Sequence, residues 1–169
     1  MKRVLTKLGL VFVFLISCSV VTLTACSSDD DGEEDVKKTS TITYSYEVSE
    51  NLLSVADVTI SYADANGQTV EEVLTSTTWK KTVTMTYPCT FSGYTVTMSM
   101  KDVTLSEETY TIECKHNVSV VRDGNVAVWS FTTTDKKACR ADALESYLTG
   151  MSGKTYGKCS LNAEGKYVE

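Results

Sequence analysis

From Ile42 onward apolar and polar residues alternate with a period of two, the signature of β-strands that bury one face. Ile42, Tyr44, Tyr46 and Val48 form a first stripe, separated by Thr43, Ser45 and Glu47; Val58, Ile60 and Tyr62 form a second. Asn66-Gly67 follows, a dipeptide suited to the positive φ values of a tight hairpin turn. A two-residue loop there sets Ile60 opposite Val73 and predicts a strand near residues 69–75. Trp79, Val83, Met85 and Tyr87 alternate with Lys80, Thr82, Thr84 and Thr86 in a fourth strand, which Pro88 ends because it has no N–H to donate. Tyr94, Val96, Met98 and Met100 give the fifth.

The sixth stripe is the longest. Tyr110, Ile112, Cys114, His116, Val118 and Val120 share one face, with Thr111, Glu113, Lys115, Asn117 and Ser119 on the other. If Asp123-Gly124 is a two-residue loop, Val120 faces Ala127, Val118 faces Trp129 and His116 faces Phe131. After Thr134 the spacing changes to three and four residues at Ala138, Ala141, Leu144 and Leu148. That pattern predicts a short helix with Asp135 as N-cap and Gly150 near its end. A last hairpin is expected around residues 162–165. Short strands with turn signals roughly every ten residues predict an all-β fold: an antiparallel β-sandwich of seven or more strands, immunoglobulin-like in size, with a short C-terminal helix. The alternative is an up-and-down β-barrel of lipocalin type, since most neighbouring strands are joined as hairpins.

The first residues follow a different rule. Lys2, Arg3 and Lys7 precede an apolar run from Leu8 to Val21, the layout of a secretory signal. Leu23, Thr24 and Ala25 then lead into Cys26 and resemble the lipobox of bacterial lipoproteins. The resemblance implies cleavage before Cys26 and lipidation of that cysteine. A spanning helix over residues 8–25 is the rival reading, but Ser17, Ser19, Thr22 and Thr24 dilute it and it leaves Cys26 without a role. Two or more acyl chains would hold the protein stably to a membrane. Ser27-Ser28-Asp29-Asp30-Asp31-Gly32-Glu33-Glu34-Asp35 has no apolar residue to contribute to a core and reads as a disordered tether. Its place directly after the cysteine resembles the acidic export signal of Bacteroidota surface lipoproteins. That resemblance implies an outer-membrane protein, lipid-anchored and facing the cell exterior. The expected organisation is a signal over residues 1–25, a tether over 26–38 and one β-rich domain over 39–169.

Loss of Lys2, Arg3 and Lys7 with the signal leaves 13 basic against 22 acidic residues, a net charge of −9. Such a balance argues against nucleic acid, whose binding depends on neutralising phosphates. Four cysteines remain in the domain: Cys89, Cys114, Cys139 and Cys159. In an exported chain they are candidates for two disulfides, with three connectivities open, each bridge contributing about 3 kcal/mol. Their gaps of 25, 25 and 20 residues do not have the close pairs of a zinc site. His116, the only histidine, lies two residues after Cys114, but its apolar stripe predicts a packed core residue rather than the base of a nucleophile.

The chain has no Gly-rich phosphate loop, no nucleophile elbow and no two-histidine metal motif, so no catalytic, metal or cofactor residues are assigned. Glu71 and Glu72, as adjacent strand residues, point to opposite faces. Threonine-rich stretches, Thr78 to Thr86 and Thr95 to Ser99, offer a polar sheet surface. The expected function is therefore that of a non-catalytic surface module, anchored by lipid, that binds a glycan or a protein. The alternative is a carrier that lines an interior pocket with Tyr44, Tyr46, Met98 and Met100, which requires the barrel.

Overall fold

Every alternating stretch forms a strand in the computed structural model, which describes residues 38–169. The signal, Leu23, Thr24, Ala25, Cys26 and the acidic run lie outside the described residues. The elements are β1 (Thr39–Val48), α1 (Glu50–Val55), β2 (Ala56–Ala63), β3 (Thr69–Val73), β4 (Thr78–Thr86), β5 (Cys89–Phe91) and β6 (Tyr94–Met100). Then come β7 (Thr109–Arg122), β8 (Val126–Arg140), α2 (Leu144–Met151), β9 (Lys154–Tyr156), β10 (Cys159–Leu161) and β11 (Tyr167–Val168).

The strands build two antiparallel four-stranded sheets, ordered β4-β1-β7-β8 and β3-β2-β6-β9, and a small third sheet, β11-β10-β5. Both large sheets have free edge strands, so the fold is a sandwich and not a closed barrel. Their inner stripes meet in one core. Ile42, Tyr44, Tyr46, Ile112 and Val118 of one sheet and Val58, Ile60, Tyr94 and Val96 of the other are each at most 2% exposed. Burying each such aliphatic side chain stabilises the fold by about 2 kcal/mol. Tyr44, Tyr46 and Met98, the expected lining of a carrier pocket, are part of this packed core. Residues 38–169 carry both large sheets and the core and fall in one compact unit.

Both hairpin registers differ from expectation. At Asn66-Gly67 the loop is closed by Asp64 N donating to Gln68 O and Gly67 N donating to Asp64 O, with Gly67 at φ 76°. Asp64 Oδ1 also accepts from Asn66 N and Gln68 N. The extra loop residue sets Ile60 opposite Glu72 rather than Val73. Because side chains alternate, the one-residue slip turns Val73 out, 64% exposed, and Glu72 in. At Asp123-Gly124 the turn forms, with Asn125 N donating to Arg122 O. Val126 then stands opposite Arg122, and an irregularity after Val120 shifts the register again. Val120 consequently faces Trp129, Val118 faces Phe131 and His116 faces Thr133.

The expected helix start is also corrected. β8 runs on through Asp135 and Ala138 to Arg140, so Asp135 is a ladder residue opposite Cys114 and not an N-cap. A 3₁₀ turn over Ala141–Ala143 leads into α2, which buries Leu144, Leu148 and Met151. Gly150 lies within the helix, and the chain turns at Gly153, φ 78°. The threonine stretches occupy outer positions of different sheets. Thr82 and Thr84 pair across to Thr43 and Thr41 at 3.4 and 3.2 Å, whereas Thr95 meets Thr155 at 2.8 Å.

Candidate functional site

The buried ionisable cluster expected from the sixth stripe sits where β7 crosses beneath β6 and β9. His116 is fully buried, stacked on Tyr156 at a centroid distance of 3.5 Å and on Tyr46 at 4.6 Å. Its Nδ1 is 2.9 Å from Tyr94 Oη, and Tyr94 donates to Ser45 O at 3.2 Å. Nε2 has no hydrogen-bond partner and is buried. A charged ring carries a proton on both nitrogens, and the one on Nε2 would meet no acceptor. Desolvation accordingly holds the His116 pKa down at about 4, with Asp135 raising it and Lys154 lowering it to smaller extents.

Cys114, two residues back on the same stripe, accepts a hydrogen bond from Tyr46 Oη at 3.2 Å. Burial pushes its thiol up. Cys114, His116 and Asp135 are thus residue types of a nucleophilic triad gathered on one side of a hairpin. No hydrogen bond joins Cys114 to His116 or His116 to Asp135 among the described residues. A raised thiol beside a depressed imidazole is the reverse of an activated pair, which needs a stabilised thiolate. The chemistry available to this cluster is hydrogen bonding and packing.

The remaining cysteines do not pair. All four are free thiols in the structure, contrary to the expected disulfides. Cys139 lies four residues beyond Asp135, the ladder partner of Cys114, which is about 13 Å along the strand. A bridge needs Cα atoms within about 7 Å. Cys89 faces Leu161 and Cys159 faces Phe91, so these two are diagonal neighbours, not an opposed pair. Both thiols are free in this diagonal placement. Burial, then the nearby Cys89, pushes the Cys159 thiol up to about 11.

Glu71 and Glu72 separate as expected. Glu71 is exposed, while Glu72 accepts from Tyr62 Oη at 2.9 Å and Trp79 Nε1 at 2.8 Å and pairs with Lys81 at 2.6 Å. The bond to Lys81, then that to Trp79, holds the Glu72 carboxyl below its ordinary value. With both carboxylate oxygens engaged in this way, Glu72 is a structural tie.

The surface offers a different site, which the stripe pattern did not single out. Trp129 and Phe131 of β8 lie with their rings 6.3 Å apart and 8° from parallel, and Tyr167 of β11 lies 5.8 Å from Trp129 at 11°. Trp129 and Phe131 are half-buried because β8 is an edge strand. Tyr167, Val126 and Val168 are 37–40% exposed and account for three of the five large exposed apolar side chains among the described residues. Two shallow depressions flank Tyr167. One of about 400 Å³ is bordered by Thr90, Ser92, Lys158 and Ser160, the other of about 230 Å³ by Arg122, Val126 and Lys166. The signal in the sequence was the alternation of Val126, Val128 and Ser130 with Ala127, Trp129 and Phe131, which gives apolar residues to both faces of one strand. No family model, curated protein or solved structure matches this chain.

Proposed function

We propose that this chain is a lipid-anchored surface protein whose folded unit binds saccharide, without chemistry, at the Trp129–Phe131–Tyr167 patch. The concentration of exposed apolar side chains around these near-parallel rings carries the reading, since scattered single residues need no explanation and a cluster does. Aromatic faces suit the C–H side of a sugar ring. Thr90, Ser92, Ser160 and Lys158 line one depression beside Tyr167 and Lys166 the other, and side chains of these types suit its hydroxyl groups. The lipobox at Leu23 to Cys26 and the acidic run after it support the anchor and the outward address.

Residues 36–169 applied to an array of host and bacterial glycans should show saturable binding that Trp129→Ala weakens by about tenfold or more with the fold intact. An array without a single saturable hit, or a hit indifferent to Trp129→Ala, would refute the binding face. The anchor is tested separately by feeding cells a labelled fatty acid. The full chain should take up label and its Cys26→Ser variant should not.

A further inference from the structure

We propose that the groove between the end of β8 and α2 is a binding site for small organic anions. The groove encloses about 550 Å³ and receives cations from different elements: Lys137 and Arg140 from β8, and Lys154 from β9. Its lining holds no acidic residue among those described, although the chain as a whole carries a net charge of −6. Lys81, Lys101, Lys115 and Lys136 each find a carboxylate within 4.0 Å. Among the described residues the two groove lysines do not, nor do Lys38, Lys80, Lys158 and Lys166; what sets Lys137 and Lys154 apart is that they border one groove. Lys137 Nζ lies 5.1 Å above the Tyr147 ring, and Lys154 Nζ approaches Met151 Sδ at 3.4 Å. Both ammonium groups thus rest on soft, neutral partners, with Asp135 two residues from Lys137 on the same face of β8.

Arg140 is bonded to Asp142 at 3.1 Å through one nitrogen, with its side chain 78% exposed, and its remaining N–H groups are open to a second acceptor. Apart from the cations and Ser146 the lining is apolar or aromatic, with Tyr147 and Met151 its largest members, so the ligand combines a carboxylate, sulfate or sulfonate head with an apolar body. Neighbouring Lys136 points to the other face, where Glu113 takes it at 2.7 Å. The strand therefore sends one lysine to an ion pair and the next to the groove.

The probe is 8-anilinonaphthalene-1-sulfonate, an aromatic sulfonate whose fluorescence rises in an apolar site, titrated into residues 36–169 with N-phenyl-1-naphthylamine as its neutral counterpart. We expect saturable one-to-one binding of the sulfonate, weakened about tenfold or more by Lys137→Gln with Lys154→Gln and unchanged by the charge-matched Lys38→Gln with Lys80→Gln, at exposed lysines outside the groove. The neutral dye should not distinguish the variants. Near-ultraviolet circular dichroism confirms that each variant keeps its packing, so that lost binding is not lost fold. Absence of saturable binding, equal affinity in the Lys137/Lys154 variant, or an equal response to the neutral dye would each overturn the proposal. Binding that survives there but is lost in Trp129→Ala would place the dye on the aromatic patch instead and would overturn it equally.

Discussion

The buried, uncharged histidine makes the stability of this fold depend on pH in a window where surface carboxylates contribute little. His116 titrates at about 4 in the folded protein against 6.5 in an open chain. Between those values the unfolded state binds a proton that the folded state refuses, so stability is full above pH 6.5, falls as pH drops and levels off near 4. The linkage integral gives a loss of about 1.4 kcal/mol by pH 5.5 and about 2.5 kcal/mol by pH 4.5. His116→Phe keeps a flat ring between Tyr46 and Tyr156 and cannot be protonated. Tyr94 Oη keeps its bond to Ser45 O in that variant, so its donor stays satisfied. Urea unfolding of residues 36–169, followed by tryptophan fluorescence at pH 7.5, 6.5, 5.5 and 4.5, reads the effect directly. The wild type should lose the stated amounts relative to pH 7.5, and the variant should be nearly flat from 7.5 to 5.5. Parallel profiles for the two proteins would refute the reasoning, because they would show that His116 charges in the folded state as readily as in the unfolded one.

Gly157 sits at φ 74°, and a Cβ there would run into Val118 Cγ2 in the centre of β7, so Gly157→Ala should cost about 2–4 kcal/mol in the same urea assay. A variant within 0.5 kcal/mol of wild type (roughly the scatter of surface substitutions) would show that β7 and the turn after β9 are less tightly fitted than described. Alkylation without reductant followed by mass spectrometry should label Cys89, Cys114, Cys139 and Cys159 in the unfolded chain. In the native protein Cys89 should react first, because the other three are buried. A protein that takes up no label on unfolding would restore the disulfides.

How much of this was legible in the sequence depends on which kind of order is asked for. The strand stripes were legible because burial of one face writes itself as a period of two, and His116 was placed correctly in the core by that rule alone. The registers were not, since each turns on single residues: one more in the loop at Asn66-Gly67, and in the β7–β8 hairpin one at the turn and a second at the irregularity after Val120. Those slips moved Val73 to solvent and gave His116 the partner Thr133 in place of Phe131. The start of the C-terminal helix was misread because Ala138, Ala141, Leu144 and Leu148 imitate a helical face, while Ala138 is in fact a strand residue beside the buried Cys139. α1 passed unnoticed at six residues, too short for periodicity, though Ser49 caps it by accepting from Leu52 N. The proposed sites were invisible for a related reason. Trp129 meets Tyr167, and Lys137 meets Tyr147, only once β8 has been paired and the later elements folded back onto it.

That shared dependence on β8 has a structural cause. β7 and β8 are 14 and 15 residues long, whereas β9, at the edge of the facing sheet, has three. A hairpin that outreaches its facing sheet must have its inner stripe covered by something smaller. At one end that cover is β11, whose Tyr167 stacks on Trp129; at the other it is α2, whose Tyr147 stands under Lys137. A two-residue strand and an eight-residue helix fill less space than a sheet, and the space they leave is where the depressions of about 400, 230 and 550 Å³ occur. Where the two full sheets face each other, by contrast, Tyr44, Tyr46, Tyr94 and His116 are buried in the shared core. These three depressions thus follow from unequal strand length, and they place the proposed ligands at the two ends of β8 rather than between the sheets.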